Sequence, residues 1–179
     1  MKIYVFRHGA TELNKKGLVN GWLDEPLREE GIQQAEKLRD ELPEGIKVIY
    51  ASTLLRARQT ADIINQRFHI PISYHDELKE RDWGTLSGKS FEDIENEHGP
   101  EYSKAKDFRL EYDYRAFGGE SIEEVRNRIH KIIEEIRLAH NDGPVLLVVH
   151  GGVLRILNHD YNHKLMDTMP NGQVVEIDV

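Results

Sequence analysis

Two stretches far apart in the chain have the form of a buried strand that ends on His-Gly. Lys2-Ile3-Tyr4-Val5-Phe6 runs into Arg7-His8-Gly9, and Val145-Leu146-Leu147-Val148-Val149 runs into His150-Gly151-Gly152. Short apolar runs rich in branched residues mark strands covered on both faces, as in a parallel sheet. In open α/β sheets ligands bind beyond the carboxyl ends of the strands, and each run delivers a histidine to that edge. A glycine next to each histidine lets backbone approach a ligand closely. One of the two imidazoles follows an arginine, which suggests a site for anions. A histidine at one strand end is most often a turn residue; two in the same setting point to a shared site when other polar residues converge on it.

At 179 residues the chain has the length of one ordinary domain with a substantial core. Its net charge of -8 argues against a nucleic-acid or anionic-membrane partner, both of which call for a basic face. The absence of cysteine rules out a disulfide framework, a thiolate nucleophile and a cysteine zinc cage, so covalent catalysis has to use another side chain. The chain enters its first strand without a signal-peptide pattern, and no apolar run approaches the ~20 residues that span a bilayer. The expected location is cytoplasmic.

After the first strand comes a polar, Gly-rich loop from Ala10 to Gly31, then a helix with Ile32, Ala35, Leu38 and Leu42 at helical spacing. Lys47 to Ala51 reads as the next strand, followed at once by a helix carrying Leu55, Ala61, Ile64 and Phe68. A short strand at Pro71 to Tyr74 leads into the segment Glu77 to Gly88. Residues 89–118 are charged and aromatic, helical near Phe91 to Glu97, and read as a small lid-like insertion over one end of the sheet. Ser121-Ile122-Glu123-Glu124 is a capping box that opens the longest helix, with Val125, Ile129, Ile132, Ile133 and Ile136 as its apolar stripe and Asp142-Gly143-Pro144 as its stop. A helix from Gly152 to about Tyr161 and a strand at Gln173 to Val179 complete the chain. The alternation predicts a single α/β domain over residues 1–179, with a mostly parallel central sheet and helices on both faces.

The strand at Lys47 to Ala51 also ends in a polar turn, Ser52-Thr53-Leu54-Leu55-Arg56-Ala57-Arg58-Gln59-Thr60. With Ser52 or Thr53 as the cap, Arg56 falls in the first turns of the next helix, near the edge that carries His8 and His150. Helix N-termini favour anions, and a guanidinium fork suits phosphate oxygens. Arg7, Arg56 and the histidines together read as a phosphate pocket, while Arg58 reads as a solvated helix face.

Four strings, in order, resemble the histidine phosphatase superfamily in its phosphoglycerate mutase-like branch. They are Arg7-His8-Gly9-Ala10-Thr11-Glu12 with Asn14, Gly21-Trp22-Leu23-Asp24 and Pro26-Leu27; Arg56-Ala57-Arg58-Gln59-Thr60-Ala61; Leu78-Lys79-Glu80-Arg81-Asp82-Trp83-Gly84 with Leu86 and Gly88; and His150-Gly151-Gly152. Each string alone is weak evidence, and four in sequence over nearly the whole chain are strong. The resemblance implies that His8 attacks a phosphoryl group through a neutral ring nitrogen, giving a phosphohistidine. Arg7, Arg56 and His150 then hold the phosphoryl oxygens, with Gly151 beside them. Asn14, Thr11 and the backbone N–H of Gly21 are further candidate donors. Glu80 is selected over Glu77 and Asp82 as general acid and base only by its place in the motif. Arg81 reads either as a substrate contact or as a surface partner of Asp82, and Trp83 as packing. His69, His75, His98, His130, His140, His159 and His163 lack ligand spacing and read as surface or helix-end residues.

The leading expectation is a metal-independent, cofactor-free phosphatase acting on a small phosphorylated metabolite. A phosphoglycerate mutase would use the same pocket and return the phosphoryl group to substrate. A pure phosphate-binding module needs neither nucleophile nor acid, and a metal hydrolase built on His8 and His150 lacks a further ligand at suitable spacing. The sequence leaves the oligomeric state open.

Overall fold

The computed structural model describes residues 1–140, 143–166 and 170–179. Five strands, β1 (Lys2–Arg7), β2 (Ile49–Ser52), β3 (Ile72–His75), β4 (Val145–Val149) and β5 (Val174–Asp178), form one sheet in the order β3-β2-β4-β1-β5. The first four run parallel and β5 pairs antiparallel with β1 at the edge. The described residues include seven α-helices: α1 (Glu12–Lys16), α2 (Glu29–Glu41), α3 (Leu55–Phe68), α4 (Phe91–His98), α5 (Lys104–Phe108), α6 (Ile122–Ala139) and α7 (Gly151–Asn162).

The two apolar runs that head the sequence are the centre of this sheet. β1 and β4 are neighbours in register, with Arg7 opposite Val149, so His8 and His150 leave the sheet side by side. Successive strand side chains point to opposite faces, and the core divides accordingly. Ile3, Val5, Val145, Leu147 and Val149 pack with α6 and α7 on one face. Phe6, Leu146 and Val148 pack with Leu38 of α2 and Ala57, Ala61 and Ile64 of α3 on the other. Both faces of β4 are covered, and all five of its residues are buried.

The capping box at Ser121 and Glu124 is present, with both reciprocal hydrogen bonds. Helix α6 ends at Ala139 with His140 as its C-cap; of the expected stop, Asp142 lies outside the described residues. Three of the seven unassigned histidines, His69, His140 and His163, are helix C-caps. The stretch from Ala10 to Gly31 is less irregular than expected. Thr11 and Asn14 form a second capping box that starts α1, and Gly17 closes it in a left-handed conformation. Helix α2 begins at Glu29, ahead of its apolar stripe, and Ile32 faces solvent instead of the core. Gly9 and Gly31 let the β1–α1 loop and the first turn of α2 touch through backbone: a Cβ on Gly9 would lie 2.2 Å from the Gly31 carbonyl oxygen.

Candidate active site

His8 follows β1 directly and is 2% exposed. Its Nδ1 lies 2.7 Å from the Gly9 carbonyl oxygen, which can only accept, so the proton resides on Nδ1 and Nε2 carries a lone pair. Consistent with that, Arg56 Nε donates to His8 Nε2 at 3.2 Å. Burial, reinforced by Arg56, His150 and Arg7, holds the His8 imidazole well below its ordinary range and so neutral. His150 is the N-cap of α7, is fully buried and packs beside His8 with ring centroids 5.0 Å apart. Neither of its ring nitrogens has a partner among the described residues. Burial also holds His150 neutral, with Arg56 and Arg128 adding to the effect. Burial lowers the Arg7 guanidinium to about 10 despite the attraction of Glu80.

Arg56 reaches the edge in a different way from that expected. The cap of α3 is Leu54, which has no side-chain bond to the helix. Ser52 Oγ accepts from Leu54 N, Thr53 donates to Asp76, and Asp24 from the preceding loop accepts from Leu55 N at 2.6 Å. The geometry of the β2–α3 turn leaves both hydroxyls pointing away from the free N–H groups, and Asp24 takes the capping role. Arg56 is fully buried, with Nη1 donating to the Leu23 carbonyl and Nη2 to the Gly21 carbonyl, each at 2.8 Å. Gly21 thus contributes its carbonyl to the arginine. The Thr11 hydroxyl accepts from Asn14 N and Asn20 Nδ2. Asn14 donates to Asn20 and accepts from Asn171, and lines the site.

Glu80 enters from the irregular segment after the 3-10 turn Asp76–Leu78. Its Oε1 accepts from Arg81 N at 2.8 Å and Arg81 Nη1 at 3.0 Å, and its Oε2 from Gly152 N at 3.0 Å. Burial alone would raise this carboxyl, but Arg81, the two backbone N–H groups and Arg56 outweigh it and bring it down to about 2. Arg81 is 5% exposed and pairs with Glu80 and with Asp107 at 2.7 Å, which replaces the alternative of a surface contact with Asp82. Trp83 is a packing residue, stacked on Tyr114 with centroids 4.2 Å apart.

Arg7, His8, Asn14, Arg56, Glu80, Arg81 and Gly151 thus line one chamber of about 150 Å³, with His150 packed beside His8. Residues 89–118 contribute Phe91 and Phe108 to its wall. Two arginines not singled out in the sequence belong to this region. Arg155, one turn into α7, is 3% exposed, lies 3.7 Å over the Phe108 ring and reaches Asp107 only at 3.5 Å. Arg128, on α6, holds the backbone behind Glu80. The position of Arg155 four residues after Gly151, on the same helix face, was a readable signal. Among the described residues no group of three or more His, Asp or Glu is placed to hold a metal ion, and no helix is long and apolar enough to cross a membrane.

Residues 3–177 match the histidine phosphatase superfamily, branch 1. The chain is 37% identical over 173 residues to 6-phosphofructo-2-kinase/fructose-2,6-bisphosphatase of Caenorhabditis elegans, covering 92% of this chain and 35% of that longer protein. It is 33% identical to the 2,3-bisphosphoglycerate-dependent phosphoglycerate mutase of Parvibaculum lavamentivorans (87% of this chain, 77% of that one). It is 31% identical to phosphoserine phosphatase 1 of Hydrogenobacter thermophilus (88% and 74%). Among solved structures, Bacillus stearothermophilus YhfR superposes with a TM-score of 0.86 at 30% identity, covering 99% of this chain and 91% of that one.

Proposed function

This chain belongs to branch 1 of the histidine phosphatase superfamily, and from that membership we propose that it hydrolyses phosphomonoesters of small metabolites without a metal ion, through a phosphohistidine on His8. The observation that carries the proposal is the state of His8: a neutral ring whose Nδ1 proton is spent on the Gly9 carbonyl, with the Nε2 lone pair beside Arg56. A neutral imidazole with a fixed tautomer is a competent nucleophile without a separate base.

In the first step the Nε2 lone pair forms the P–N bond while the P–O bond to the alcohol breaks, and the departing oxygen takes a proton from Glu80. In the second, water attacks phosphorus, gives its proton back to the Glu80 carboxylate, and the P–N bond breaks to release phosphate. Arg7, Arg56 and an N–H of His150 meet the charge on the equatorial oxygens. Glu80 starts ionised, and a bound phosphoryl group both neutralises Arg56 and adds like charge, so binding raises its proton affinity. The proton arrives with the monoanion of the ester, whose second ionisation lies near ~6.

Similarity to a phosphoglycerate mutase supports a second reading, in which the phosphoryl group returns to a substrate hydroxyl. That chemistry calls for an enclosure that excludes water. In residues 89–118 Lys106 pairs with Glu111 and Arg115 with Asp113, and neither lysine nor arginine of the segment lines the chamber. This favours water as the acceptor.

The test is an acid-labile, base-stable phosphoryl label trapped during turnover and mapped to residue 8, together with loss of turnover in His8→Ala. A label on serine or aspartate overturns the mechanism. Supplying 3-phosphoglycerate with a trace of the 2,3-bisphosphate then separates the readings: phosphate release is expected, and isomerisation that outruns release would establish the mutase.

A further inference from the structure

We propose that Arg128 and Trp22 are positioning residues for Glu80, acting on the proton-transfer step of the reaction proposed above and not on phosphoryl binding. The segment from Lys79 to Trp83 belongs to no helix or strand, so its buried backbone groups need partners from elsewhere. Arg128 supplies the donors for the two carbonyls around Glu80. Its Nη1 donates to the carbonyls of Glu77 at 2.7 Å and Lys79 at 2.8 Å, and its Nη2 to the carbonyl of Glu80 at 3.0 Å. The guanidinium is itself oriented by both oxygens of Glu120, at 2.8 and 2.9 Å. Glu120 in turn accepts from Asp82 N at 2.8 Å, fixing the segment on the far side of Glu80.

Trp22 adds a link that runs between the two halves of the site. Its indole Nε1 donates to the same Glu80 carbonyl at 2.7 Å. The carbonyls on either side of it in the chain, Gly21 and Leu23, are the ones that hold Arg56. One three-residue stretch thus ties the arginine beside His8 to the backbone of the acid. Trp22 is 44% exposed, so this bond is not explained by core packing.

The consequence is geometric. Glu80 is held in front by Gly152 N and Arg81 N, and from behind by Arg128 and Trp22. Loosening the rear contacts displaces the carboxyl relative to the leaving oxygen, while the bonds of Arg56 to His8 and to the Gly21 and Leu23 carbonyls involve neither the Trp22 indole nor Arg128. A displacement of ~1 Å at a catalytic group costs on the order of 10²-fold in rate.

The experiment compares an alkyl phosphate, glycerol 3-phosphate, with p-nitrophenyl phosphate, whose leaving group departs without a proton. Arg128→Met is expected to lower kcat on the alkyl ester by ~10²-fold and on the aryl ester by only a few-fold, with KM little changed on both, and Arg128→Lys to recover part of the difference. Trp22→Phe removes one N–H from an exposed side chain and keeps the test open if Arg128→Met does not fold; its expected selective loss is ~3- to 10-fold. Because both residues act through Glu80, Trp22→Phe added to Glu80→Gln should slow the alkyl ester no further than Glu80→Gln alone. Equal losses on both esters, or additive losses in the double variant, would reduce these residues to structural supports and overturn the proposal. Wild-type rates on glycerol 3-phosphate in Glu80→Gln would instead overturn the role of Glu80 on which it rests.

Discussion

Gly152→Ala tests the front of the acid site at atomic scale. A Cβ on Gly152 would fall 2.0 Å from Arg81 Nη1 and 2.4 Å from Glu80 Oε1, where ordinary contact begins near 3.4 Å. Glu80 Oε1 must therefore retreat by about 1 Å, and Arg81, tied to Asp107 at 2.7 Å, by more. The retreat opens the 3.0 Å bond from Gly152 N to Glu80 Oε2. For stability the terms partly offset: Ala is better than Gly within a helix by ~1 kcal/mol, overpacking costs ~1–3 kcal/mol, and a lost hydrogen bond to a charged group ~1.5–3 kcal/mol. The net expectation is a destabilisation of ~2–4 kcal/mol, measured by urea unfolding. The kinetic effect is larger where the leaving group needs a proton. General acid catalysis contributes ~10²- to 10⁴-fold, and Gly152→Ala should lose most of it on glycerol 3-phosphate and little on p-nitrophenyl phosphate. Steady-state rates of phosphate release on the two esters, on protein shown by circular dichroism to be folded, decide the matter. Retention of wild-type rates on glycerol 3-phosphate, or equal loss on both, would refute the assignment of Glu80 as the proton donor held by this glycine.

The pH dependence follows from the same groups. With Glu80 held to about 2 and His8 neutral, kcat/KM on alkyl phosphates should be flat below the second ionisation of the ester near ~6 and fall up to tenfold per pH unit above it. A profile that climbs through ~6.5 instead would show that an imidazole has to lose a proton first. Arg155→Gln should raise KM more for 3-phosphoglycerate than for glycerol 3-phosphate, because the guanidinium lines the chamber over Phe108 with only long contacts, to Asp107 at 3.5 Å and to the Met166 carbonyl at 3.4 Å; equal KM changes for the two esters would show that it merely anchors α5.

The parts of this molecule legible in the sequence are those with local causes. The uninterrupted apolar runs of β1 and β4, the stripe on α6 and the reciprocal Ser121–Glu124 pair each follow from spacing within a few residues, and each is present. Arg7 and His8 could be read because they follow a buried strand. Glu80 could be chosen from its acidic run only by resemblance, since what separates it from Glu77 and Asp82 is contact with Gly152, 72 residues away. Arg128 and Arg155 look in the sequence like the solvated cations of amphipathic helices. They are drawn inward by partners from other segments, Glu120 and the carbonyls of Glu77 to Glu80 for one and Phe108 with Asp107 for the other. Buried charge depends on compensating groups, and apart from Glu120, eight residues before Arg128, these lie far away in the sequence. The cap of α3 is hidden from local sequence in the same way, since Asp24 arrives from a separate loop.

The balance of those buried charges bears on what the chamber accepts. Four arginines, Arg7, Arg56, Arg81 and Arg155, face two acids, Glu80 and Asp107. Arg81 lies between both acids and Arg155 shares Asp107, so the positive surplus lies toward Arg7 and Arg56, the pair next to His8, with Glu25 and Asp24 offsetting part of the charge of Arg56. Burial pulls Arg7 down to about 10, the mark of a cation without enough compensating charge. A single phosphoryl group brings its negative charge to the place where that surplus is concentrated. A bisphosphate brings a second phosphoryl group to the Phe91 and Phe108 end of the chamber, where Arg155 already shares Asp107 and Lys104, 5.2 Å over the Phe108 ring, is not among the lining residues. Mutase chemistry must retain such a bisphosphate through the reaction, whereas hydrolysis needs to hold one phosphoryl group and release it. This charge balance supports the proposed hydrolysis over mutase chemistry.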